Sequence, residues 1–302
     1  MRFPQFSKRA LLFIGSLLFI VYVLAPIGWL VSSSLQSEAE ITSVPPHWVP
    51  HMPTIGNFAA IFKSGDQAAT DGTPKEGDSN GANFIPSTAK NLLPSMWNSF
   101  VVAVVVVVLN LLVSVPAAYA MAKIRFIGRT TSIYIMLTSR VIPDIALVVP
   151  FFLLIQKLGL LDSRLSLIIT YLAITVPFSV FILLGYFESL PDELDKAARV
   201  DGCSRFQTLT LVFLPLATPS LVAVVLFTFL TSWNEFLLAL MFTQTPASQT
   251  MPIVIAAFTS DFNISFSFIN AAGVLAIIPP VIIAIMFERY IVSGLTAGAV
   301  KG

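Results

Sequence analysis

Charged residues are scarce in this chain, and many of them collect in one segment between two long apolar runs, residues 190–215. Small and charged side chains stand there in the order Asp192, Glu193, Asp195, Lys196, Ala197, Ala198 and Arg199. Alanines permit close backbone approach, and the charges around them can pair with a soluble partner at the rim of a contact. This pattern of small and charged residues favours recognition of another protein. An amphipathic loop on a membrane surface is the alternative, but alanines anchor poorly in lipid.

Residue types that perform catalysis or bind metals form no recognisable pattern in the sequence. The motifs CxxC, GxGxxG, GxxxxGK and HExxH do not occur, and the single Cys203 cannot form an internal disulfide. His47 and His51 are four residues apart, but surrounding prolines exclude a regular helix that presents both rings on one face. We therefore expect no catalytic residue, metal or cofactor on this chain, and any ATP would have to be bound by another chain.

The composition is that of a membrane protein, with 56% hydrophobic and 11% charged residues and a mean hydropathy of +0.86. A soluble domain with so few polar groups could not cover its surface. A helix needs about 20 apolar residues to cross a bilayer. Six runs are long enough: residues 10–37, 91–122, 130–156, 165–187, 206–234 and 262–287. We predict an all-α polytopic membrane protein with six transmembrane helices.

Positive charges predict the orientation of these helices. The first apolar run exceeds the length of a signal-peptide core, which favours an uncleaved helix. With the amino terminus in the cytosol, eleven Lys and Arg residues fall on cytosolic segments and five fall outside. Both termini and the 190s loop are thus expected in the cytosol. The net charge of +1 argues against nucleic acid as a partner.

Three regions follow from this layout. Residues 1–37 form the cytosolic tail and first helix, and residues 38–94 form an extracytoplasmic loop. Within that loop, 63–90 is rich in Gly and Pro and predicts a flexible polar insertion, more readily tolerated than bound by a partner. Residues 95–302 form a five-helix core with the charged loop at 189–209 and a cytosolic carboxyl-terminal tail.

Local signals predict that the charged loop is a short helical hairpin. Ser189 followed by Asp192 indicates a helix start, Gly202 a left-handed helix end, and Ser204 with Gln207 a capping box that starts another helix. The first helix has a narrow, flat side made of Leu194, Ala197 and Ala198. We expect this side to face the partner.

The same residues carry a family resemblance. The stretch KAA RVD G CSRFQTLTL VFLP resembles the signature EAA, three residues, Gly, nine residues, Ile-x-Leu-Pro of the permease subunits of binding-protein-dependent ABC importers. Val212 replaces the Ile, and Lys196 replaces the acid that pairs with a basic residue of the ATPase in this family. Asp195 or Glu193 could substitute for it. The resemblance implies a type I ABC importer permease fold and a coupling loop made of Glu193, Asp195, Lys196, Ala197, Ala198, Asp201, Gly202, Leu214 and Pro215.

A narrower resemblance, to the maltose-type carbohydrate permeases, covers nearly the whole chain. It is carried by Asn98-Ser99, Ala118-Tyr119-Ala120 with Phe126 and Gly128, Arg140-Val141-Ile142-Pro143, Trp233-Asn234-Glu235-Phe236 and the terminal segment 294–302. It implies the shorter, second permease of a heterodimer in a bacterial or archaeal cell membrane. Its implied partners are the other permease, two ATPase subunits, an extracytoplasmic sugar-binding protein and membrane lipid, with the carboxyl-terminal tail as a second ATPase contact.

Charged residues inside the membrane mark further candidates. Arg140 and Asp144 are four apart, which places them on one face of a helix that Pro143 should kink. Such charges are costly unless paired or hydrated. They form either a structural ion pair facing the other permease or part of the transport pathway. Trp233, Asn234 and Glu235 lie toward the outer end of the fifth helix, where they could be an aromatic belt, a gate or an outer contact.

Together these features predict an importer permease that moves a sugar or oligosaccharide, with ATPase closure acting on the hairpin as a lever. The outer segment 242–261 resembles the family loop that reaches toward the binding protein. An importer of another polar solute is the nearest alternative. An ion-coupled secondary transporter would be expected to show internal repeats, and an intramembrane enzyme would need a nucleophile with a base or a metal cluster.

Overall fold

The structure is a computed structural model, and it describes residues 5–63, 87–259 and 264–299. Most of the predicted insertion at 63–90 and the last residues of the carboxyl-terminal tail lie outside the described residues. Within these ranges the chain is helical and contains no strand.

Fourteen α-helices follow one another in the described ranges, most of them formed by continuous apolar sequence. Their bounds are α1 Gln5–Ser34, α2 Glu38–Ile41, α3 Gly56–Lys63, α4 Leu92–Lys123, α5 Arg129–Ser139, α6 Asp144–Lys157, α7 Arg164–Ser189, α8 Asp192–Val200, α9 Arg205–Gln207, α10 Leu214–Leu216, α11 Thr218–Asn234, α12 Leu237–Phe242, α13 Met251–Ala257 and α14 Phe266–Ala299. A 3₁₀ turn, Ser87–Asn91, precedes α4, and a π-helical turn, Thr208–Phe213, joins α9 to α10.

Four of the described helices are long and apolar enough to cross a membrane, and counting each of two bent helix pairs as one span raises the number to six. The multi-pass helical fold predicted from the sequence is confirmed. Two of the six spans differ from the prediction, because they are broken. The third span bends by 102° between α5 and α6, and the fifth bends by 83° between Leu216 and Thr218.

The described helices fall into two compact units, Met1–Leu93 with Val254–Ile278, and Pro94–Ile253 with Pro279–Gly302. The predicted five-helix core contains everything from residue 95 onward, whereas residues 254–278 group with the amino-terminal unit. Glu38 provides one connection within this unit. Its carboxylate accepts hydrogen bonds from the backbone N–H groups of Phe266 (3.0 Å) and Ser267 (2.9 Å) and thereby caps the start of α14.

The loop after α1 is fixed to the end of that helix by side-chain amides. Asn57 donates to the carbonyl oxygens of Ser34 (2.9 Å) and Gln36 (3.0 Å).

The rings of His47 and His51 meet edge to face, and Nδ1 of His51 lies 3.1 Å from a carboxylate oxygen of Glu40. Because this segment is not helical, the irregular path of the backbone, and not helical spacing, brings the two rings together.

Two apolar clusters organise the second unit, one on each side of a polar layer. The first joins α4, α7 and the π-helical turn through Tyr119, Phe187 and Phe213. The second joins α4, α6, α7 and α12, and its members include Val102, Ile155, Leu167, Tyr171 and Phe242. The buried polar layer contains Asn110, which donates to Thr175 (2.9 Å), and the hydroxyl pair Ser179 and Thr228.

Candidate functional site

The charged loop forms the helical hairpin that the sequence predicts. Helix α8 ends at Val200, and Gly202 adopts a φ of +86°, a left-handed conformation that favours glycine. The hydroxyl of Ser204 accepts from the N–H of Gln207 (3.3 Å), and the Gln207 side chain accepts from the N–H of Ser204 (2.8 Å). The predicted capping box and left-handed turn are confirmed.

The predicted helix start at Ser189 is wrong. Ser189 is the last residue of α7, and its hydroxyl donates to the carbonyl of Tyr186 (2.7 Å). Helix α8 begins only at Asp192, after Pro191 in an extended conformation. The hydroxyl is captured by the preceding turn, so acidic residues near the helix start are left to stabilise its positive end.

Asp195 lies inside the protein, although its sequence context suggested an exposed contact residue. Only 9% of the residue is exposed. Its carboxylate accepts a 2.7 Å hydrogen bond from the hydroxyl of Tyr119 on α4 and a 3.2 Å hydrogen bond from Arg205 on α9. We call these three residues the clasp. It joins α4 to both arms of the hairpin.

The inward side of α8 carries Ala198, which is buried, and Leu194, which packs against the first apolar cluster. This corrects the prediction that they form a flat side facing the partner, because a buried Asp195 turns that side toward α4. The outward surface is different. Glu193, Lys196, Ala197, Asp201 and Gly202 are exposed. Two apolar residues join them, with Val200 87% and Phe206 73% exposed.

Lys123, at the end of α4, fixes the beginning of the hairpin. Its amine donates to the carbonyl of Leu190 (2.8 Å) and to the carboxylate of Asp192 (2.7 Å), and only 3% of its side chain is exposed. The hydrogen bond from this amine lowers the pKa of Asp192. A second ion pair joins α5 to α7, where Arg129 lies 2.6 Å from Glu188. Lys123 thus attaches the start of the hairpin to α4, and the second ion pair joins the neighbouring helices to each other.

The polypeptide leaves the hairpin through a π-helical turn. Phe213 is buried in that turn, with its ring centroid 5.2 Å from that of Tyr119. Leu214 and Pro215 follow in α10, just before the 83° bend into α11. Missing backbone N–H groups at Pro215 and Pro219 favour this break. Hydropathy alone predicts one continuous helix here, which is incorrect.

Arg140 and Asp144 do not share one helical face. Arg140 directly follows the last residue of α5 and Asp144 begins α6, with Pro143 extended between them, so the predicted kink is a break. The two charges do not approach within ion-pairing distance in the described structure. Arg140 instead donates to the carbonyl of Ile174 (3.2 Å) and lies 5.3 Å from the ring centre of Phe178. Both charged residues line a pocket of about 400 Å³.

Trp233 is 2% exposed and stacks on Phe229, so it is a packed residue and not part of an aromatic belt. Asn234, next to it, is exposed. Glu235 accepts hydrogen bonds from the N–H groups of Leu238 (2.7 Å) and Ala239 (3.0 Å) and from the hydroxyl of Tyr171 (2.7 Å). It caps α12 and ties it to α7.

Sequence reasoning missed Asp162, which lies between α6 and α7 with a φ of +56°. Its carboxylate accepts from the N–H groups of Gln244 and Thr245, both at 2.9 Å, and from the hydroxyls of Thr245 and Ser248. These bonds, that from Ser248 foremost, hold the pKa of Asp162 well below its ordinary value. An acidic residue in a short loop carries no sequence signal for a partner 83 residues away.

Asn98 fixes the same loop from the side of α4. Its amide donates to the carbonyl oxygens of Pro246 (3.1 Å) and Gln249 (2.9 Å), and the neighbouring Ser99 accepts from the N–H of Met251 (2.8 Å). We call residues 243–250 the pinned loop. The resemblance singled out Asn98 and Ser99, and the structure gives them a positioning role.

Comparison with known proteins identifies the family. The family described as "Binding-protein-dependent transport system inner membrane component" matches residues 114–296, more than half of the chain. The chain belongs to this family. It is a multi-pass membrane permease of the ABC importer class, and the resemblance to the maltose-type carbohydrate branch is confirmed by its relatives.

Two relatives match over nearly their whole length. The permease is 35% identical to the sulfoquinovosyl glycerol transport system permease protein SmoH of Agrobacterium fabrum, covering 98% of this chain and 95% of that one. It is 36% identical to the trehalose/maltose transport system permease protein MalG of Thermococcus litoralis, covering 98% of each. Among solved structures, a bacterial ABC transporter involved in the import of the acidic polysaccharide alginate matches with a TM-score of 0.75 and 25% identity, covering 96% of this chain and 100% of that one.

Proposed function

We propose that this permease carries a sugar or oligosaccharide into the cytoplasm as the second permease of a heterodimeric ABC importer. The names of its relatives support the substrate class, since they transport trehalose, maltose and a sulfoquinovosyl glycerol. The family description supports delivery by a binding protein. Which saccharide is carried is a property that the binding protein and the partner permease help to set.

The charge distribution supports an orientation with both termini and the hairpin in the cytosol. In this orientation two separate ATPase subunits bind ATP and Mg²⁺ and meet the permease at the hairpin. The pinned loop then lies on the opposite side, toward the binding protein. This chain itself contributes no ATPase site and acts as a transport subunit.

The observation that carries the coupling role is the contrast between the two sides of the hairpin. The inner side is fixed to α4 by the clasp, and the outer side presents exposed Val200 and Phe206 among charged residues. An exposed apolar pair with a charged rim is the composition of a protein contact. ATPase closure that displaces this surface would move α4, α8 and α9 together, which couples ATP hydrolysis to the opening of the pathway.

Glu193 is the acid best placed to contact the ATPase in place of the family residue that Lys196 replaces. Asp195 is committed to Tyr119 and Arg205, whereas Glu193 is exposed on the outer side of α8. Charge-reversal variants distinguish the contributions of Glu193 and Lys196 to this contact. We expect Glu193→Lys to reduce copurification of the ATPase subunits and Lys196→Glu to preserve it. If only Lys196→Glu breaks the assembly, Glu193 does not substitute for the family acid.

One experiment tests the function as a whole. The complete complex, with both permeases, the ATPases and the binding protein, is reconstituted in liposomes, and ATP hydrolysis is measured with a panel of saccharides. We expect one saccharide to stimulate hydrolysis and to be taken up in a vanadate-sensitive manner. Stimulation by a polar solute of another class would change the substrate assignment. Vanadate-insensitive uptake driven by an ion gradient would replace the ABC assignment with a secondary carrier.

A further inference from the structure

The third span is interrupted where a membrane helix should be continuous. Helix α5 stops at Ser139 and α6 starts at Asp144, with a 102° bend between them. Non-helical backbone inside a bilayer is tolerated only where it is covered by protein or lines a water-filled cavity. The break in this permease lines a pocket of about 400 Å³, within the range of small-molecule sites.

The two charged residues at this break differ in their contacts with the rest of the protein. Arg140 is held in place by Phe178 and by the carbonyl of Ile174. A guanidinium has five N–H donors, and the described residues receive a hydrogen bond from one of its nitrogens, Nη1. The carboxylate of Asp144 accepts no hydrogen bond and meets no cation within the described ranges. A charge in the membrane without a partner requires water, a ligand or another subunit.

We propose that this pocket is a saccharide site in the transport pathway of the permease, with Arg140 donating to sugar hydroxyl oxygens and Asp144 accepting from sugar hydroxyl groups. This rests on the proposed function, since the pocket is assigned to the imported solute. One fixed cation and one free anion have no net charge together, which suits a neutral ligand rich in hydroxyl groups.

The remaining lining fits the same ligand. Leu147, Phe151 and Pro177 contribute apolar surface to the pocket. A sugar ring has hydroxyl groups at its edge and C–H groups on its faces, so it needs both polar and apolar walls. A site with a few polar groups among apolar side chains is the usual design of a small-molecule pocket.

Thiol accessibility tests whether the pocket is open in the assembled importer. Ser139 lines the pocket and is nearly isosteric with cysteine, so Ser139→Cys is introduced together with Cys203→Ser, which removes the only native thiol. Leu153→Cys, on exposed α6 surface outside the pocket, is the control. The probe is a membrane-impermeant methanethiosulfonate reagent, with and without the saccharide that stimulates ATP hydrolysis, using maltose and trehalose first.

We expect the reagent to label Cys at 139 in the complex, and the saccharide with its binding protein to slow labelling about tenfold, the factor expected when about nine-tenths of the sites are occupied. Absence of labelling would mean that the partner permease covers the pocket, and labelling that ignores the saccharide would mean a hydrated cavity without a sugar site. Either result overturns the proposal. If no saccharide stimulates ATP hydrolysis by the wild-type complex, the proposed function itself is wrong, and this outcome is distinct from a failure of the pocket proposal alone.

Charge removal provides the second readout. We expect Arg140→Gln and Asp144→Asn each to lower the number of sugar molecules imported per ATP by about tenfold, because each removes a charged hydrogen-bond partner of the solute. Lys157→Gln, an exposed charge at the other end of α6, is the matched control and should change this ratio less than twofold, about the scatter expected of a surface substitution. If all three variants import the same number of sugar molecules per ATP, Arg140 and Asp144 have no role in the transport pathway.

Discussion

The hydroxyl of Tyr119 donates a 2.7 Å hydrogen bond to the carboxylate of Asp195, and the two residues are 76 positions apart in the chain. One lies near the end of a membrane-spanning helix and the other on the short helix of the hairpin. Arg205 neutralises the same carboxylate from the second arm of the hairpin. Because a buried carboxylate needs these donors, the three helices are held in one arrangement.

Tyr119→Phe should weaken this connection without disturbing its packing. The ring contacts with Phe187 and Phe213 remain, but Asp195 loses one of its donors, at a cost of about 1–3 kcal/mol. We expect membrane insertion to be normal and the number of sugar molecules imported per ATP to fall. Tyr134→Phe, at an exposed tyrosine, is the control. An unchanged ratio in Tyr119→Phe would show that the clasp does not transmit the motion.

Gly202→Val should abolish uptake through backbone strain. The glycine adopts a φ of +86°, and a Cβ atom at this position would meet no atom within 4 Å, so any effect comes from conformation and not from a clash. A left-handed conformation costs an ordinary residue about 1–2 kcal/mol, more for a β-branched one and less for asparagine. We therefore expect Gly202→Asn to retain uptake.

Uptake assays on membranes with equal amounts of inserted permease check this prediction. Gly185→Ala serves as a control, because that glycine lies within α7 and also has open space around it. Normal uptake by Gly202→Val would contradict the role of the hairpin as a rigid lever. Equal loss in the Asn and Val variants would show that the side chain, and not the backbone conformation, matters at this turn.

The sequence predicts the local features of the hairpin because their signals are local. Gly202 and the Ser204–Gln207 capping box depend on residues within one turn, so spacing alone identifies them. Ser189 has an equally good pattern, but the end of α7 captures its hydroxyl first. A capping signal cannot show which of two helices will use the side chain.

The broken spans and the pinned loop are less accessible from sequence. Hydropathy averaged over a span is the same for a straight and a bent helix, and Pro143 and Pro215 are compatible with either a kink or a break. The role of Asp162 depends on partners far along the chain. Contacts of this kind are set by the tertiary fold, which a single sequence does not display.

Asp162→Asn should loosen the pinned loop. Asparagine tolerates the left-handed backbone at this position, so the variant removes the charge that accepts from Thr245 and Ser248 while it preserves the turn. We expect faster hydrogen exchange in residues 243–250 and less stimulation of ATP hydrolysis by the loaded binding protein, with basal hydrolysis unchanged. Unchanged exchange in this loop would contradict the role of Asp162.

The same carboxylate predicts a pH dependence. The pKa of Asp162 in the folded protein lies below its ordinary value of 3.8, so the ionised form stabilises the loop at every pH above that value. As the pH falls below 3.8, the unfolded loop gains protons before the folded one, and this stabilisation is progressively lost. Exchange protection of 243–250, corrected for intrinsic rates, should be constant above this range and fall below it. Asp162→Asn should lack this transition.

Glu235→Gln should loosen α12 while α11 stays intact. Its carboxylate accepts from Leu238, Ala239 and Tyr171, and a glutamine has only one oxygen for these donors. The variant also removes a negative charge from a helix start, where such a charge is favourable. We expect faster hydrogen exchange in residues 237–242, corresponding to a loss of about 1–3 kcal/mol of local stability. Asn234→Ala, at the exposed neighbouring position, should leave exchange unchanged. If both variants exchange alike, Glu235 does not hold α12 in place.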